Sequence, residues 1–159
     1  ERLLLQIAVT LHACGKFISM KNSNECGYTL IMSTEIIGLS HLEREIIANV
    51  VRYNIRDFDY DMMQLETEAG QDLAGVSDRT AITILIAKLT AILRLANSMD
   101  KTHKSKLIDC RMAVREGQLV ITTGYKGDLA LESASFEQKA AFFEEIFGIR
   151  PVLKQKRRV

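Results

Sequence analysis

Residues 78 to 100 constrain the fold more than any other part of the chain. Ile82, Ile84, Leu85, Ile86, Leu89, Ile92, Leu93 and Leu95 leave almost no polar side on a helix of that length. Such a helix must be surrounded by other elements, which places it at the centre of a bundle. Asp78, or Ser77 before it, supplies the N-cap. Lys88 and Arg94 interrupt the apolar run Ala81–Ala96, so no bilayer-spanning segment is expected. One narrow polar stripe remains, formed by Thr83, Thr90, Arg94, Asn97 and Lys101 at helical steps. Polar groups on a buried helix must find partners or line a cavity, because unpaired burial costs about 1–3 kcal/mol each. The stripe is the first pointer to a site.

The remaining chain supplies the companions that this helix needs. Leu3, Leu4, Ile7, Ala8 and Leu11 recur at helical spacing and predict a first helix ending near Gly15. A short helix over Tyr28–Ser33 follows a polar turn at Lys21–Asn24. Ser40 with Glu43 three residues on forms a capping box, and Leu42, Ile46, Ile47, Val50 and Val51 give the helix behind it a buried side. Residues Asp57–Gly75 are acidic and weakly patterned, one short helix and a loop. After Lys106 the period changes from helical to alternating. Leu107–Val114 reads as a strand, Glu116-Gly117 as a turn and Leu119–Thr123 as the returning strand. Leu129–Glu132 reads as a third, short strand. Ser135 with Gln138 reads as a second capping box, opening a helix that stops at Gly148, and Ile149–Lys156 reads as a last strand. The expected fold class is mainly α: a helical bundle over residues 1–104, then a small β-β-β-α-β unit over 105–159 packed on it. A single proline among 159 residues agrees with the helical weight.

Charge is distributed unevenly. Residues 1–76 carry 6 Lys and Arg against 11 Asp and Glu, and residues 77–159 carry 15 against 9. The halves are therefore −5 and +6, which fits either an anionic partner for the second half or attraction between the halves. Basic groups crowd at Lys101, His103, Lys104 and Lys106 and again at Lys154, Lys156, Arg157 and Arg158. No aromatic residues are interleaved with them, so nucleic acid is not the expected partner. Cys14, Cys26 and Cys110 have no framework spacing, which fits a reducing, cytoplasmic compartment. The chain opens at Glu1 inside a helical pattern, with no initiator methionine and no leader, and reads as part of something longer.

Read from the residues alone, no complete catalytic constellation is present. There is no GxSxG, no Cys-His pairing and no phosphate loop, because Gly15-Lys16 lacks the upstream glycine and the following Ser or Thr. His12 lies on an apolar helix face, as a satisfied core histidine would. His41 and His103 have no companions at metal-ligand spacing.

The segment Leu11-His12-Ala13-Cys14-Gly15-Lys16 resembles the LHDIGK segment of HD-type phosphohydrolases. Tyr28–Ile31, Ser33–Ser40, Ile47–Tyr53 and Ile92–Asp100 are similar, in order and at the right spacing, to a narrower group. That group is the exopolyphosphatase / guanosine pentaphosphate phosphohydrolase (Ppx/GppA) family, whose carboxy-terminal region is an HD-like helical domain followed by a small α+β unit. The resemblance implies that His12, Ala13 and Asn97 occupy the old HD metal site. HD enzymes carry aspartates where this chain has Ala13 and Asn97, and a methyl group and an amide offer no anionic oxygen to a divalent cation. No metal or other cofactor is therefore expected in this domain. Catalysis, with its Mg, belongs by resemblance to upstream actin-like ATPase-type domains.

What the old site retains is cationic. By resemblance Lys16 faces the same cavity as His12, while Arg52 and Arg94 lie on polar stripes, the latter with Asn97 and Lys101. Arginine forks and lysine ammoniums suit phosphate oxygens, so Lys16, Arg52, Arg94 and Lys101 are the candidate polyphosphate-binding residues. Arg52 and Arg94 have a structural alternative, pairing with an acid such as Glu35 or Asp100. The expected function is a non-catalytic accessory domain that helps bind polyphosphate or guanosine pentaphosphate and forms a homodimer. The alternatives are a diverged metal-dependent HD phosphohydrolase acting on a guanosine nucleotide, and a purely structural dimerisation module.

Overall fold

The computed structural model describes residues 1–60 and 76–156, with side chains of the second stretch from Arg79 onward. Most of the acidic segment 57–75, the caps Ser77 and Asp78, and Arg157 and Arg158 therefore lie outside the described side chains. The order of elements is α1 (Arg2–Leu11), a 3-10 turn (Cys14–Phe17), α2 (Ser23–Ser33), α3 (His41–Tyr53), α4 (Val76–Met99), β1 (Cys110–Arg115), β2 (Gln118–Thr123), α5 (Ala130–Phe147) and β3 (Arg150–Gln155). This is a mainly α chain with a small α+β unit at its end. The chain divides into two compact units, Glu1–Leu93 and Arg94–Val159.

The first unit is built as its apolar spacing dictates. Leu4 and Ala8 of α1, Ile31 of α2, Ile46, Ile47, Val50 and Val51 of α3, and Ile86, Leu89 and Leu93 of α4 form one buried cluster. Each large aliphatic side chain there contributes about 1.5–3 kcal/mol by leaving water. The capping box is present: Ser40 Oγ accepts from Glu43 N at 3.2 Å and Glu43 Oε2 accepts from Ser40 N at 2.8 Å. The first helix stops at Leu11, earlier than its periodicity suggests, because the chain tightens into the 3-10 turn there. That turn lies hard against the start of α2. A Cβ on Gly15 would sit 1.9 Å from the Ser23 carbonyl oxygen and 2.5 Å from the Gly27 nitrogen, so only glycine fits between the two backbones.

The central helix is as apolar as expected, and its composition passes for a membrane span. Within Arg79–Met99 an 18-residue window has a mean hydropathy of 1.5, so Lys88 and Arg94 do not remove the helix from that class, contrary to the expectation from sequence. Of that window 44% is buried in protein, Ile86, Ala87, Leu89, Ala91, Leu93 and Leu95 among it.

In the second unit β1 and β2 form an antiparallel hairpin, pairing Cys110 with Thr123 through to Arg115 with Gln118. Its two-residue turn has φ values of 50° at Glu116 and 74° at Gly117, the primed-turn conformation that a right-twisted hairpin favours. Strand β3 joins β2 in parallel after the α5 crossover, giving the order β1-β2-β3. Leu129–Glu132 is not a strand. Asp128 Oδ1 accepts from Ala130 N at 2.8 Å and so tethers the first turn of α5, which already contains Leu131 and Glu132. Ser135 and Gln138 consequently lie inside that helix and cap nothing.

Candidate functional site

In the first unit His12, Ala13 and Lys16 gather around the end of α1. His12 is the C-cap of that helix, and its Nδ1 donates to the Val9 carbonyl at 2.6 Å. Ala13 is the N-cap of the 3-10 turn and Lys16 lies within the turn, exposed. Lys16 makes no side-chain ion pair or hydrogen bond among the described residues. Burial pushes the Cys14 thiol up from its ordinary pKa, so it stays protonated and inert. Among the described residues no three His, Cys, Asp or Glu side chains form a group that could hold a metal ion. Beside His12, the methyl side chain of Ala13 offers a cation no donor atom.

Arg52 is held within the same unit by a partner that local spacing gives no means of finding. Its Nε donates to Glu25 Oε1 at 3.0 Å and its second nitrogen lies 2.9 Å from Oε2. The guanidinium also lies 4.9 Å from the centre of the Tyr28 ring. Arg56 adds a second donor to Glu25 at 3.0 Å. Burial raises the Glu25 carboxyl, but the hydrogen bonds and charges of Arg52 and Arg56 outweigh it and hold the group below the usual carboxylate range. The structural alternative for Arg52 is thus realised with Glu25, not Glu35. Glu45 and Asn49, which share its stripe on α3, are buried, and Asn49 Nδ2 donates to the Glu45 carbonyl at 3.0 Å.

In the second unit Arg94 is buried at 6% exposure and its guanidinium lies 4.6 Å from the centre of the Phe142 ring. Asn97 is half-buried and Lys101 is exposed. Lys101 has no partner among the described residues. Of the four candidate phosphate ligands, Lys16 and Lys101 therefore present open positive charge, while Arg52 and Arg94 are engaged by neighbouring side chains.

A polar lock in this unit is invisible from sequence while Glu132 is assigned to a strand. On α5 that carboxylate is buried and takes the Thr102 hydroxyl on Oε1 and the Lys106 ammonium on Oε2 at 3.1 Å. Lys106 also donates to the Asp128 carbonyl at 3.0 Å. The Thr102 hydrogen bond, with the Lys106 charge added, keeps the Glu132 carboxyl below its ordinary pKa despite burial. Lys106 is therefore a tie between the bundle-to-sheet connector and α5, not a solvated member of the basic cluster.

Residues 1–140 match the family model described as Ppx/GppA phosphatase, domain III. No match to a curated protein was found.

Proposed function

The chain belongs to the Ppx/GppA phosphatase family, whose domain III it matches over most of its length, and on that premise we propose how this accessory domain serves the parent phosphatase. It binds the polyanionic substrate, inorganic polyphosphate or guanosine pentaphosphate, and delivers it to catalytic domains of actin-like type that carry the Mg. The observation that supports this reading is the pairing of a lost metal grip with retained charge. Ala13 stands where an anionic ligand is required, and Lys16, three residues on, is exposed and uncommitted. Lys101 offers a second open ammonium, while Arg52 and Arg94 are engaged by neighbouring side chains and shape their surroundings. The domain also forms a homodimer: Phe17 at 94%, Met20 at 77% and Ile18 at 63% exposure next to Lys16 are apolar surface that association would cover. Three free thiols support a cytoplasmic setting.

Binding of long-chain polyphosphate, measured by fluorescence anisotropy against salt, tests the reading. Lys16→Ala and Lys101→Ala should each weaken binding about fivefold near 0.1 M salt and reduce the log–log salt slope by about 0.7. Absence of binding at low salt refutes the substrate role. Stoichiometric metal in the purified protein would instead restore the hydrolase alternative. Sedimentation showing only monomer would remove the dimer.

A further inference from the structure

The three-stranded sheet has one face that carries its buried residues and one that does not. Ile121, Thr123 and Pro151 point to the covered side, where α5 contributes Phe136, Ala140 and Phe143 to the core. By strand alternation and the observed register, Arg111, Thr122 and Lys154 form one row across the opposite face. Arg115 follows four residues along β1 on the same side. The three cations are exposed, and none makes an ion pair among the described residues. No acidic residue occurs in β1, β2 or β3. Arg150, at the far end of β3, is neutralised by Glu137 and Glu144, each at 2.9 Å, so its charge is spent. At the other end a hollow of about 500 Å³ is lined by Arg111, Thr122, Cys110, Asp109 and Lys156 among others. Lys156 continues the ladder, its N–H donating to the Thr123 carbonyl at 3.0 Å.

From this arrangement we propose that the open face of the sheet is a phosphate-binding track, occupied by an extended inorganic polyphosphate chain and separate from the residues around His12. The inference rests on the accessory-domain reading above but uses none of its candidate residues. Charge complementarity selects a polyanion: guanidinium forks at Arg111 and Arg115, an ammonium at Lys154 and a hydroxyl at Thr122 are all donors to phosphate oxygen. The side chains between them select against a nucleic acid. This face presents Ala113, Val120 and Val152 and no aromatic ring, so nothing is available to stack a base. The cations are about 10 Å apart across the strands and about 13 Å along β1, a span that one flexible phosphate chain can follow. Among the described residues Asp109 is the single carboxylate that lines the hollow, and it opposes the anion there.

The test compares two groups of variants in the same 159-residue chain, with long-chain polyphosphate as probe. The triple variant Arg111→Gln/Arg115→Gln/Lys154→Gln should bind roughly a hundredfold more weakly near 0.1 M salt, with a log–log slope lower by about 2. Lys154→Gln alone should lose about fivefold, and Asp109→Asn should bind more tightly. Circular dichroism of every variant establishes that the fold is kept, and the single variant carries the test if the triple one is not folded. Unchanged affinity in the sheet variants, with weakening in Lys16→Ala, overturns the track and leaves the accessory-domain reading standing. No binding by the parent chain at low salt overturns both. Displacement of the probe by single-stranded poly-uridine at equal phosphate concentration overturns polyphosphate as the occupant.

Discussion

Replacing Glu132 by alanine should be the most damaging single change in the second unit. Its side chain is 1% exposed and that of Lys106 is 14% exposed, so the pair is largely withdrawn from water. Removing the carboxylate leaves the Thr102 hydroxyl without its acceptor and Lys106 with only the Asp128 carbonyl at 3.0 Å. Breaking a buried pair from one side costs about 3–5 kcal/mol, because the remaining charge is uncompensated. For a chain of this length each kcal/mol lowers Tm by about 2–4 °C, so the melting point should fall by roughly 6–20 °C. Lys106→Met should be comparably damaging, while Glu132→Leu/Lys106→Met should recover most of the loss, since an apolar pair leaves no charge unpaired. The pH dependence has a definite sign. The native pKa of Glu132 lies below its ordinary value, so its contribution is fully present above about pH 5 and disappears as pH falls through the native value. Urea unfolding followed by far-UV circular dichroism, at neutral pH and again in acid, measures all three variants. A loss under about 1 kcal/mol for Glu132→Ala, or a double variant as unstable as the single ones, would show that the lock is ornamental.

Two further changes probe the first unit. Gly15→Ala puts a methyl group 1.9 Å from the Ser23 carbonyl oxygen; the 3-10 turn must separate from α2, at a cost of at least 1–3 kcal/mol, visible as faster amide exchange at Cys14–Phe17 and in α2. Ser40→Ala removes the capping box of α3 and should cost about 1 kcal/mol by chemical denaturation, whereas Ser40→Asp should retain nearly all of the stability.

The parts of the fold that could be read from the sequence are those set by local rules. The periodicity of α3 and α4, the Ser40 box and the Glu116-Gly117 turn each depend on residues within four positions of one another. Leu129–Glu132 misled because an apolar tetrapeptide does not distinguish strand from helix. The deciding groups were the Asp128 side chain at its start and the Thr102 and Lys106 donors some thirty residues upstream. The same distance hid the partner of Arg52: Glu25 is 27 positions away in sequence, and only the packing of α2 on α3 brings them together. For the candidate site, residue chemistry indicated which positions carry a cation. It could not separate the open ammoniums of Lys16 and Lys101 from the engaged guanidiniums of Arg52 and Arg94. The basic sheet face was equally hidden, since Arg111, Thr122 and Lys154 become neighbours only through strand register.

The hairpin's outer strand also bears on handling. Among the described residues β1 is an edge strand with hydrogen-bonding groups unmatched on one side, and Met112 and Val114 project into solvent at 60% and 64% exposure. Such an edge invites a second molecule to zip onto it, and mutual repulsion between Arg111 and Arg115 on approaching copies is what discourages that. Stripping both charges therefore weakens a guard against clumping, so glutamine variants of this strand should be kept dilute and checked by light scattering before any affinity is read from them.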